Sequence, residues 1–121
     1  MPQLSIEYSG NMRGAFDPRA LALTIHGEMA PIIKTEIGSC KTRLTELKDF
    51  VIGEGADEEA MVHIDLRILS GRSEAQKKQA GEAALAAAMR MIDKPAGLNL
   101  QLTVEVRELD RDNYHKRVLA P

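Results

Sequence analysis

Residues 60–76 read AMVHIDLRILSGRSEAQ, and this stretch decides the fold. Val62, Ile64, Leu66 and Ile68 alternate with His63, Asp65 and Arg67, so Ala60–Leu69 reads as a strand with one apolar and one polar face. Ser70, Gly71 and Arg72 make a tight exit. Ser73 and Gln76 then stand at the spacing of a capping box, in which a serine hydroxyl and a side-chain amide satisfy each other's free backbone N–H groups. The helix so opened runs through Ala80, Ala84, Leu85, Ala88, Met89 and Ile92 and stops near Pro95 and Gly97. A further alternating strand follows, Leu98–Arg107.

Upstream, the same order is found. Leu4, Ile6 and Tyr8 alternate with Gln3, Ser5 and Glu7, a half-buried strand that ends in the turn residues Ser9, Gly10 and Asn11. Asp17 before Pro18 reads as an N-cap with proline at the first helical position, and Leu21, Ile25 and Met29 give the helix an apolar stripe. Pro31 is expected to end or kink it. A strand is expected over Cys40–Phe50, then a turn over residues 53–57. The order is β-α-β-β-α-β. Two right-handed βαβ crossovers put both helices on the same side, so the expected fold is α+β, a four-stranded sheet with two helices on one face. Ser5, Glu7, His63, Asp65, Arg67, Thr103 and Glu105 are left on the other face, which is either wet or packed on another subunit through paired charges.

The 121 residues, 13.3 kDa, fit a single domain, 1–121. Area scaling gives roughly 6,500 Å² of surface when folded against about 19,000 Å² unfolded, enough for a core without disulfides. Hydrophobic residues at 44% and charged residues at 28% exclude disordered and collagen-like chains. Lys+Arg 16 against Asp+Glu 18 leaves a net charge of −2, with no basic field to hold phosphates, and two Tyr, two Phe and no Trp offer little for base stacking. Nucleic acid is not an expected partner. No apolar stretch approaches the ~20 residues of a membrane span, so no membrane association is expected. A single cysteine and the absence of a secretory signal point to the cytoplasm. His26, His63 and His115 show no ligand spacing with Cys40, and no metal or cofactor is implied.

Met1-Pro2 leads straight into the first strand. With Val62-His63, Gly71-Arg72-Ser73, Gln79-Ala80-Gly81-Glu82 and Glu108-Leu109, it makes the chain resemble the 5-carboxymethyl-2-hydroxymuconate isomerases, trimeric members of the tautomerase superfamily. The resemblance implies a cytoplasmic homotrimer that isomerises an unsaturated, carboxylated 2-hydroxy acid. It implies that Pro2, freed by removal of Met1, is the proton shuttle. Moving a proton between two atoms of a dienol needs a base that takes it at one and returns it at the other, and a secondary amine does this. The same resemblance gives Arg72 the role of binding a carboxylate and polarising the enol/keto oxygen. At the positions of an Ile-Arg-Ser-Arg run in the family, this chain has Cys40-Lys41-Thr42-Arg43, so Lys41 or Arg43 is expected to hold a distal carboxylate.

Each residue also has a plainer reading. Pro2 starts an edge strand, as proline often does. Arg72 pairs with Glu74 or Asp65. Lys41 and Arg43 lie on a solvated strand face, and His63 is structural or sits at an interface. Cys40 shows no nucleophile signature. The run from Asp110 to Arg117 is a solvated tail, or wraps a neighbouring subunit with Tyr114, Val118 and Leu119 as its apolar grip. A catalytically silent trimer that binds small acids, or serves as a scaffold, is the alternative to an enzyme.

Overall fold

A computed structural model describes residues 1–121. The chain runs β1 (Gln3–Ser9), α1 (Pro18–Ile33), β2 (Lys41–Leu47), β3 (Glu59–Leu69), α2 (Glu74–Met91) and β4 (Asn99–Leu109), with 3₁₀ turns at Gly10–Met12, Ile37–Ser39 and Arg111–Asn113. The sheet order is β2-β1-β3-β4. β1 and β2 are parallel, β3 and β4 are parallel, and β1 joins the two halves antiparallel to β3, with Leu4 opposite Leu66 and Ile6 opposite Ile64. This is the tautomerase-like β-α-β-β-α-β fold.

One face of the sheet carries the core. Leu4, Ile6, Val62, Ile64, Leu66 and Ile68 are buried with Leu21, Ile25, Met29 and Ile33 of α1 and Ala80, Ala84, Ala87 and Ala88 of α2. The small residues of α2 let it lie close to the sheet: a Cβ on Gly81 would stand 3.2 Å from Val106 Cγ2. On the opposite face Asp65 is buried all the same. It accepts hydrogen bonds from Arg67 and from both Nε and Nη2 of Arg107. His63 bonds Thr103 Oγ1 and lies 3.6 Å from Glu105.

Four expectations change. Pro31 does not end α1, which runs to Ile33. The proline sits in the last turn, where its missing N–H costs one bond, and the helix stops instead at Lys34 in the left-handed conformation (φ 54°), whose N–H donates to Ala30 O. β2 spans Lys41–Leu47 rather than 40–50, because its only partner, β1, runs out where Ser9 faces Leu47. β4 runs on to Leu109, whose carbonyl accepts from Ser70 N–H. The segment after it is not a free tail: it folds back on the start of its own chain. No helix is long and apolar enough to cross a membrane.

Candidate active site

The site forms where the start of β1 meets the end of β3. Alternation continues from Leu4 to Pro2 and turns the proline ring inward, where it is fully buried. Its carbonyl accepts from Lys41 N–H at 3.2 Å, which ties the first residues of the chain to the start of β2. The antiparallel register sets Gln3 against Arg67, so the residues before Gln3 lie beside the last residues of β3 and the loop into α2.

Arg72 stands in that loop. Gly71 before it takes φ 113°, a conformation open to glycine, and the turn brings Arg72 back over the strand end. The guanidinium donates from Nε to Ile33 O at 3.2 Å and from Nη1 to Leu69 O at 3.1 Å. It therefore bridges the C-terminal end of α1, where the helix dipole favours a cation, to the end of β3. Neither Glu74 nor Asp65 pairs with it: Glu74 bonds Lys77, and Asp65 bonds Arg67 and Arg107. Two of its five N–H donors are committed, and three remain for a ligand. Burial, helped by Arg111 nearby, lowers its proton affinity, although a guanidinium stays charged at any working pH.

The electrostatics at the amino end follow from these neighbours. Burial first, then the charge of Arg72, then Lys116 and, less, Lys41, hold the α-amine of Met1 below its ordinary value, against an opposite pull from Cys40. Burial in turn pushes the Cys40 thiol up and keeps it protonated. Lys41 thus belongs to the cluster, although its Nζ is already bonded to Ser39 O at 2.9 Å. Arg43 does not. It stands beside Ser5, donates to Gln3 Oε1, and lines a separate hollow of about 240 Å³ with Asp65, Arg67 and Leu109.

The strap after β4 holds groups that no pattern marked out. Arg111 donates from Nε and Nη2 to Ser70 O at 2.9 and 2.7 Å. The Tyr114 hydroxyl accepts from Gln3 Nε2 at 2.8 Å, and Lys116 Nζ lies 2.7 Å from Met1 Sδ. The segment has no periodicity to read. The sequence marked it only as a solvated tail or a wrap on a neighbour, and its cations, Arg111, Lys116 and Arg117, gave no sign of reaching the chain's own start.

The sequence model that describes 5-carboxymethyl-2-hydroxymuconate isomerase matches residues 2–119. The chain belongs to the 5-carboxymethyl-2-hydroxymuconate isomerase family. Among solved structures, a 5-carboxymethyl-2-hydroxymuconate isomerase from Deinococcus radiodurans R1 is 25% identical, with a TM-score of 0.81 over 96% of this chain and 88% of that one. A 5-carboxymethyl-2-hydroxymuconate delta-isomerase is 23% identical, with a TM-score of 0.78 over 98% and 88%. A wild-type fused 4-OT, described as a symmetric trimer, is 17% identical and shares the fold with a TM-score of 0.70 over 93% and 89%. No curated protein matches. In this member of the family a buried Pro2 and a fixed Arg72 thus stand at one end of the sheet.

Proposed function

We propose that the chain is a dienol–ketone isomerase acting on an unsaturated, carboxylated 2-hydroxy acid of the 5-carboxymethyl-2-hydroxymuconate type, with Pro2 as its base once Met1 has been removed. One observation carries the reading: the partly buried amine of Met1, next to Pro2, lies in the field of Arg72, Lys116 and Lys41, none of which is ion-paired with a carboxylate. Such surroundings do two things at once. They hold an amine in its neutral, basic form at neutral pH, and they attract an anion to it.

The Pro2 nitrogen takes the proton of the 2-hydroxyl and delivers it to the far carbon of the diene. The π-electron pairs move one place along, the C2 oxygen becomes a ketone, and the base is regenerated, so no co-reactant is needed. The free N–H groups of Arg72 bind the carboxylate next to C2 and stabilise the charge that grows on the C2 oxygen. Lys41 adds positive charge on the same side. Arg43, engaged with Gln3, has no role within one chain. The working assembly is a homotrimer, a reading supported by the trimeric fold relative, and an unpaired cysteine suits a cytoplasmic setting.

Ultraviolet ketonisation of 2-hydroxymuconate tests this directly. Met-free protein is expected to turn it over rapidly, and protein that retains Met1, in which the Pro2 nitrogen is an amide, is expected not to. Pro2→Ala should lose about a hundredfold or more in kcat/KM, the usual worth of a positioned base. Equal turnover with and without Met1 would remove Pro2 from the mechanism. No turnover in either would favour the silent binding trimer.

A further inference from the structure

We infer that Lys116, on the strap after β4, is a specificity-determining residue of the Pro2 site and takes the second carboxylate of a polycarboxylate substrate. The inference rests on the reading of Pro2 and Arg72 as the reacting end of the site. Lys116 Nζ sits 2.7 Å from Met1 Sδ, a thioether and a weak acceptor, and pairs with no carboxylate. The acids that could compete are engaged elsewhere. Glu108 bonds Lys77, while Asp110 accepts from Asp112 N–H and Asn113 Nδ2. When Met1 leaves, the ammonium loses its one contact and has three free donors, while the strap that carries it stays tied to Gln3 and Ser70.

Its position is held from both sides. Arg111 anchors the strap to Ser70 O, in the loop that carries Arg72, and Tyr114 anchors it to Gln3, the residue after Pro2. Arg72 and Lys116 therefore come to the amine from different elements, the β3–α2 loop and the strap. Two cations on separate supports suit a substrate with two separated carboxylates. Lys41 suits this task less, because its Nζ already bonds Ser39 O.

The test uses Met-free protein and two ligands without an enol: muconate, with two carboxylates, and sorbate, with one. Calorimetry on the wild type is expected to show muconate bound about tenfold or more tightly than sorbate. Lys116→Met should abolish that preference by weakening muconate alone, and Lys116→Arg should restore most of it. With 2-hydroxymuconate as substrate, at a pH above the titration of the base, Lys116→Met should raise KM about tenfold and change kcat much less. A merely structural strap would lower the binding of both acids equally and move kcat as well. The assignment is overturned if the wild type shows no preference, if Lys116→Met keeps it, or if the variant weakens both acids alike. A preference lost in Lys116→Met, in a wild type that turns over no dienol, would uphold the carboxylate site and reject the isomerase reading instead.

Discussion

Arg72 is held by structural bonds that also bear on the chemistry proposed for it. Its bonds to Ile33 O and Leu69 O fix the guanidinium plane before any ligand arrives. A lysine could reach only one of those carbonyls and would offer no planar fork. Arg72→Lys is therefore expected to lose roughly ten- to a hundredfold in kcat/KM for a 2-hydroxymuconate-type dienol. Arg72→Ala should lose more and should also shift the pH profile. The sign follows from the charges. A neighbouring cation opposes protonation of an amine, as Arg72 does for that of Met1, so its removal is expected to raise the pKa of the Pro2 amine that Met1 removal frees. The acid limb of kcat/KM against pH then moves upward, and the loss is greatest below neutrality. An acid limb that stays in place would show that Arg72 does not act on the base. Pro2 and Arg72 entered as candidates through the family resemblance, because the local patterns alone, a proline starting a strand and an arginine before a helix cap, read as structure. Lys116 did not enter. Its contact with Met1 spans 115 positions, and no rule of spacing links a strap to a strand start.

At the scale of elements, the strands on the apolar face followed from alternation, and the errors fell where tertiary contacts decide. α1 continues past Pro31 because its last turn is held from outside: Arg72 donates to Ile33 O, and Gln76, the capping-box residue of α2, donates to Ile32 O at 3.2 Å. The start of α2 thus caps the end of α1, something neither helix reveals in isolation. The turn that follows has a cost of its own. Lys34 adopts φ 54° and ψ 53°, a left-handed conformation that opposes Cβ to the backbone by about 1 kcal/mol. Its side chain makes no ion pair to offset this. Lys34→Gly is therefore expected to stabilise the fold by about 0.5–1 kcal/mol, read as a higher urea midpoint at unchanged slope. A lower midpoint would mean that the lysine side chain contributes packing that outweighs the backbone strain.

For the whole molecule, surface area carries the argument. The folded chain exposes 7475 Å², whereas a monomer of 13.3 kDa is expected to expose roughly 6,500 Å². The excess, about 1,000 Å², is of the size that one partner buries in a standard protein interface, about 800 Å². Two regions of the sheet are fit to be covered. The polar sheet face carries ordered charges, the Asp65–Arg107 and His63–Glu105 pairs, rather than a loose solvated fringe. Along the edge strand β4, Leu100, Leu102, Val104 and Val106 are only partly covered, because the small residues of α2 that pack against them shield little of their surface, and Met89 is left 68% exposed. The chain alone leaves its sheet half dressed, and in the homotrimer proposed above further copies would supply the missing cover. Sedimentation equilibrium at micromolar concentration is expected to give about 40 kDa, three times 13.3 kDa. Since the apolar strip contributes, the assembly should persist at salt concentrations that screen surface ion pairs. A species of 13.3 kDa at low salt would mean that the excess surface is solvated, and dissociation only at high salt would assign the contact to the charged face alone.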